Sequence, residues 1–167
     1  MNNNLEEAVK PIDFKDGKLL ILDQKELPFN EIYLEITNPE ELIKAVKELS
    51  IRGAPLLGLV GIYGLYLASL NCNDFSSLEE YSLRIKNARP TAVNLPNTVD
   101  KIMYMLNNIK SKKNMEEISR ILLREAENYK EKLKNESLNI AKFGLKLIDE
   151  NDSILTHCNT GTLAVLG

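Results

Sequence analysis

Cys158 is the residue best placed to do chemistry. It follows a short apolar run, Ser153-Ile154-Leu155-Thr156-His157, and precedes Asn159-Thr160-Gly161 and a second apolar run from Thr162. That spacing reads as strand, tight loop and helix start. A thiol there meets free backbone N–H groups and the positive end of a helix dipole, both of which favour a thiolate. Ligands in open α/β sheets also bind at the carboxyl ends of strands. The alternative is a buried structural cysteine, a common role. Cys72, in Asn71-Cys72-Asn73-Asp74, stands at a helix end beside an acid and reads as an inert thiol. His157 is the single histidine. Adjacent strand residues point to opposite faces, so a Cys–His pair is not expected and His157 reads as structural.

Two arginines stand at breaks between helical patterns. Arg52-Gly53-Ala54-Pro55 puts a fixed cation and small residues between one helix and the next. A guanidinium beside free N–H groups is a seat for an anion. The plainer alternative is an interhelical turn whose arginine pairs with a surface acid. Arg89-Pro90-Thr91-Ala92-Val93-Asn94 is a second break, its backbone restricted by the proline. Arg89 there either holds a phosphate or caps the preceding helix. The Lys and Glu crowded into 124–136 read as a solvated helix face.

These residues need elements to hold them. Lys18 to Asp23 reads as a strand entered through an Asp16-Gly17 turn, and Glu31 to Thr37 as a second strand paired with it antiparallel. Asn38-Pro39-Glu40-Glu41 is a helix start: Asn at the cap, Pro in the first position, acids in the first turn. Pro55 to Leu70 is almost wholly apolar, with Gly58, Gly61 and Gly64 in a row. Glycine is a poor helix former, so the row implies close approach of another segment, within the chain or in an oligomer. Further helices are expected from Ser77 to about Ala88, from Asn94 to Lys110, and from Met115 to Ile148. The stripe of the last runs through Ile118, Leu122, Ala126, Tyr129 and Leu133 to Ile140, Ala141, Leu145 and Ile148, and a kink, if any, belongs at Asn135-Glu136-Ser137.

The fold class is therefore an α+β N-terminal domain over 1–150, a small antiparallel sheet plus a helical bundle with a long final helix. The start of a Rossmann-like α/β domain follows over 151–167. A lone β-α opening cannot satisfy its own sheet edge, so the chain reads as ending inside that domain.

The 167 residues carry a net charge of -3, with 44% hydrophobic and 27% charged residues. That is globular usage and excludes wholesale disorder. The acidic balance argues against a nucleic-acid partner. No apolar run is expected to reach a membrane span of roughly 18 residues. The polar start, Met1 to Glu7, is expected to be neither a signal nor a transit peptide. Two distant cysteines and one histidine make free thiols in a reducing cytoplasm the expectation, and a metal site improbable.

Five segments occur in one order: Leu22-Asp23-Gln24-Lys25-Glu26-Leu27-Pro28, Ile51-Arg52-Gly53-Ala54-Pro55, Gly58 with Tyr63-Gly64-Leu65, Ala88 to Leu95, and Leu155-Thr156-His157-Cys158-Asn159-Thr160-Gly161. The set resembles the methylthioribose-1-phosphate isomerases, within the wider family of regulatory subunits of translation initiation factor 2B. The resemblance implies an aldose-ketose isomerase that converts 5-methylthioribose 1-phosphate to 5-methylthioribulose 1-phosphate in methionine salvage. It implies a homodimer that needs no cofactor. It maps substrate binding onto Arg52, Gly53, Ala54 and Arg89, and the reactive cysteine onto Cys158. It also implies a partner Asp and an Asn-Lys pair farther along than residue 167, so this chain is expected to be an inactive N-terminal part. Pro96-Asn97 departs from the bulkier residues usual there. That leaves an isomerase of another sugar phosphate, ribose 1,5-bisphosphate or 5-deoxyribose 1-phosphate, as one alternative; the long helix 115–148 and the glycine row 58–64, as oligomer contacts, leave a non-catalytic regulatory subunit as another.

Overall fold

The computed structural model describes residues 9–158 and 160–166. The polar start at 1–7, Asn159 of the cysteine loop and Gly167 lie outside the described residues. Strands β1 (Ile12–Lys15), β2 (Lys18–Leu22) and β3 (Tyr33–Ile36) form one antiparallel sheet in the order β1-β2-β3. Asp16 and Gly17, at φ of 53° and 77°, make the two-residue turn that pairs Lys15 with Lys18. Positive φ at both positions gives a turn whose twist matches its strands. The register brings Ile12 beside Ile21 and Phe14 beside Leu19, and Leu19 beside Ile36, so one face is apolar. Phe14 stacks on Tyr63 with ring centroids 5.4 Å apart, seating the sheet on the helices.

Helix α1 (Pro39–Lys47) starts as its residue types require, with the Asn38 side chain accepting from the Glu41 N–H at 3.0 Å. Leu42, Ile43 and Val46 are buried. It ends at Leu49, in the left-handed region at φ 64°. The Ser50 N–H donates to the Ala45 carbonyl at 2.9 Å and the Leu49 N–H to that of Val46 at 3.3 Å. This pair of bonds closes the last turn.

Helix α2 (Ala54–Asn71) is the centre of the molecule and packs against all four other long helices. It carries no charged residue and is buried almost all round, as a helix without a polar face must be. Contrary to the sequence expectation, its 18 residues are long and apolar enough to cross a membrane. Here that apolar surface is covered by the neighbouring helices. The glycine row is explained internally: a methyl group on Gly61 would press on Leu95 and Val99, and one on Gly64 on Leu42 and Ile85. The row faces helices of this chain, which displaces the reading of an oligomer contact.

Helix α3 (Phe75–Lys86) begins two residues before the expected Ser77, because the Asp74 carboxylate accepts the Ser77 N–H at 2.8 Å. Helix α4 (Asn94–Asn107) is followed by a 3-10 turn at Lys110–Lys112. Helix α5 (Met115–Gly144) opens on a reciprocal cap between Asn114 and Glu117 and runs unbroken through 135–137 into a 3-10 turn, Leu145–Leu147. Its stripe is buried from Ile118 to Leu133. The expected continuation is not: Ile140, Leu145 and Ile148 are exposed. Thirty helical residues span about 45 Å, and the end of the helix outruns the bundle.

A polar link joins sheet and helices inside this packing. Tyr63 is buried and its hydroxyl donates to Glu127 at 2.8 Å. Lys130 lies 3.8 Å from Glu127 and 3.9 Å from Asp13. Burial first, and the Glu127 carboxylate second, push the Tyr63 hydroxyl well above the usual phenol range.

Candidate functional site

Three separate stretches of chain converge on one cavity of about 350 Å³. Leu49, Arg52, Gly53 and Ala54 come from the link between α1 and α2, and Leu57 from the first turn of α2. Arg89, Thr91 and Ala92 come from the break between α3 and α4, and Cys158 closes the set. Every residue singled out in the sequence as a site candidate, Arg52, Gly53, Ala54, Arg89 and Cys158, lies on this wall.

The local sequence explains the geometry. Gly53 sits at the N-cap of α2 with φ 97°, and no side chain caps the helix. Pro55 in the first turn has no N–H to leave unsatisfied. The Ala54 and Leu56 N–H groups therefore remain the free end of a helix dipole, a natural position for negative charge. Across the cavity, the 89–93 segment turns tightly, with the Ala92 N–H on the Arg89 carbonyl at 3.1 Å.

Both arginines are half-buried. Arg52 Nε and Arg89 Nη1 are buried and have no hydrogen-bond partner among the described residues. A donor of a permanent cation withdrawn from water without an acceptor costs roughly 1–3 kcal/mol or more. Both arginines line the one cavity, and two guanidinium groups there suit an anion with several acceptor oxygens, a form that a phosphate has. Among the described residues, Arg52 pairs with no surface acid and the Arg89 side chain does not cap the preceding helix.

Cys158 adopts φ 68° and is exposed at the cavity mouth. The buried structural alternative does not describe it. Cys72 is the buried thiol, pushed up first by burial and then by Asp74 and Glu80, which makes it a poor nucleophile. His157 is exposed and does not line the cavity, which corrects the reading of a structural histidine. Residues 153–157 join no strand ladder among the described residues, so the alternation expected of them has no sheet to act on. The expected helix start after the loop is present as a single turn, with the Ala164 and Val165 N–H groups on the Gly161 carbonyl at 3.0 and 3.2 Å.

Sequence reasoning missed Leu49, Leu57, Thr91 and Ala92 as cavity walls. Thr91 alone carried a signal, as the third residue of the Arg-Pro-Thr break. A larger cavity of about 400 Å³ lies elsewhere, between Ile12, Lys130, Leu138 and Leu166, and holds none of the candidate residues.

The chain is similar to known proteins over nearly all of its length. A methylthioribose-1-phosphate isomerase of Natranaerobius thermophilus is 39% identical over 96% of this chain and 48% of its own length. One of Carboxydothermus hydrogenoformans is 37% identical over 92% of this chain and 46% of its own. Among solved structures, 5-methylthioribose 1-phosphate isomerase from Pyrococcus horikoshii superposes with a TM-score of 0.85 at 27% identity, over 95% of this chain and 46% of that one. The delta subunit of translation initiation factor eIF-2B from A. fulgidus gives 0.76 at 34% identity, over 94% and 47%. The chain spans about half the length of the relatives it matches. The Initiation factor 2 subunit family matches residues 50–167, the stretch that holds Arg52, Arg89 and Cys158, and the chain belongs to that family.

Proposed function

We propose that this chain is the substrate-phosphate-binding half of a cytoplasmic, homodimeric aldose-ketose isomerase acting on 5-methylthioribose 1-phosphate in methionine salvage. One observation supports the reading: Arg52 and Arg89, each with a buried guanidinium nitrogen that has no partner among the described residues, line the cavity that Cys158 borders. Arg52, Arg89 and the uncapped start of α2 hold the phosphate, with Gly53 and Ala54 letting backbone approach it. The sugar then extends toward Cys158. Phosphate on the anomeric oxygen means the ring must open by breaking the bond between C1 and the ring oxygen, which takes up a proton. A hydrogen then moves from C2 to C1, as proton or hydride, and the C2 hydroxyl gives up its proton to become the ketone. The product is an isomer of the substrate, so no external redox partner enters. An acid and a cysteine in a site of low polarity serve this sequence.

A second reading is a non-catalytic regulatory subunit, favoured by the similarity to the eIF-2B delta subunit. Calorimetric titration of the chain separates the two. The isomerase reading expects binding of 5-methylthioribose 1-phosphate in preference to ribose 1,5-bisphosphate and 5-deoxyribose 1-phosphate. Arg52→Ala or Arg89→Ala should each weaken it at least tenfold, the loss of a charge-assisted bond of about 1.5–3 kcal/mol. Preference for either other sugar reassigns the substrate. Absence of binding to all three favours the regulatory subunit.

A further inference from the structure

Gln24 lies outside the cavity, yet it bonds to Ser50, beside one of the three stretches that form it, and to Leu163, five residues beyond Cys158. Its backbone N–H donates to the Ser50 carbonyl at 2.9 Å, two residues before Arg52. Its side-chain Nε2 donates to the Leu163 carbonyl at 3.0 Å, across 139 residues of sequence. Leu163 adjoins Ala164, and Ala164 packs on Gly53 so tightly that a methyl group on Gly53 would lie 2.5 Å from the Ala164 Cα and 2.6 Å from its oxygen. Gln24 is 3% exposed, and its Oε1 is buried without a partner among the described residues. A leucine of similar size would fill the space without the orphaned Oε1, and would lose only the bond to the Leu163 carbonyl. As a space-filling residue Gln24 is therefore poorly chosen; as a donor to Leu163 it is well chosen.

We propose that Gln24 is a positioning residue that clamps the 161–166 turn, and with it Cys158, against the Arg52–Gly53 side of the cavity. The clamp rests on the reading of that cavity as a phosphate site. It acts by fixing the distance between the arginines and the cysteine, which residues 153–158, joined to no strand ladder among the described residues, do not do. A misplacement of about 1 Å at such a site is enough to lose much of its effect.

The test uses the whole chain with Gln24→Leu and Gln24→Glu; the latter keeps the shape and removes the donor. Amide exchange, thermal melting and inorganic phosphate binding are measured for each, together with the rate at which iodoacetamide alkylates Cys158 with and without phosphate. In both variants, exchange over 161–166 should quicken by about tenfold while α2 and α5 exchange as before. The phosphate dissociation constant should rise about three- to tenfold, and phosphate should no longer slow alkylation of Cys158. Gln24→Leu should melt no lower than the parent, a split that a merely structural residue does not give. Gly53→Ala, which presses on Ala164 from the other side with Gln24 intact, should reproduce the faster local exchange. Unchanged exchange over 161–166 in the Gln24 variants overturns the clamp. Failure of the parent chain to bind phosphate overturns the cavity reading instead, and the exchange measurement still decides the clamp.

Discussion

Leu49 holds a left-handed backbone conformation that suits glycine, and it does so on the wall of the cavity. A β-carbon there costs roughly 1–2 kcal/mol, against about 0.5–1 kcal/mol for the extra freedom glycine has when unfolded. The Leu49 side chain is 42% exposed, so little burial offsets the strain. Leu49→Gly should raise the unfolding free energy by about 0.5–1 kcal/mol in urea titration and open the cavity on its α1 side. A loss of stability would mean that the side chain packs more than its exposure indicates. Arg52, Arg89 and Cys158 were legible in the sequence because each stands in a break, beside Gly or Pro, where a side chain with fixed charge or a nucleophile has no core to serve. Leu49 and Gln24 were not. The strain at Leu49 belongs to a helix end that any residue sequence could have closed with glycine. Gln24 acquires its role only when Leu163 is brought to it by the whole fold.

Among the elements, those with chemical stop and start signals were readable, and those defined by pairing were less so. Asn38-Pro39 and Asn114 to Glu117 mark the starts of α1 and α5. β1 was missed although Asp16-Gly17 marks its hairpin, because Asp13 and Lys15 break its apolar character and only the pairing with β2 reveals it. The distal half of α5 was misjudged because periodicity says which residues share a face, not whether anything covers it. The caps also make stability depend on acid. The Ser77 N–H holds the Asp74 carboxyl below its usual range, and the Thr37 N–H does the same for Glu41. Lys113 first, then the Asn114 N–H, lowers Glu117. A carboxylate with a depressed folded pKa adds stability that is complete above its unfolded value, about pH 4, and is lost as pH falls through the folded one. Melting temperature should therefore fall steadily below about pH 4.5. Asp74→Asn keeps an acceptor for the Ser77 N–H but cannot be protonated, so its melting temperature should fall less steeply over the same range. Parallel curves for parent and variant would show that the α3 cap plays no part in the acid sensitivity.

At the scale of the molecule, the proposed anion site stands among the described residues without a complete set of catalytic groups. In the proposed reaction, opening the sugar ring requires an acid beside the ring oxygen, and among the described residues no Asp or Glu lines the cavity. Cys158 stands exposed rather than enclosed, where water competes for every charge that the site stabilises. Apolar side chains nearby in sequence face solvent as well: Leu138, Phe143 and Leu147 on α5 and its extension, and Leu155 just before the cysteine, which is 98% exposed. Relatives with isomerase names are about twice as long as this chain. The described parts therefore predict binding without turnover. Incubated with this chain, 5-methylthioribose 1-phosphate should keep its own phosphorus resonance in nuclear magnetic resonance. That resonance should broaden and shift as protein is added, and Arg52→Ala should abolish the effect. A growing ketose phosphate resonance would place a catalytic acid within reach of the cavity among these 167 residues. Cys158→Ala would then have to stop that conversion without weakening the binding. If it left the rate unchanged, the cysteine would be a bystander, and the two arginines would remain as the residues that define the site.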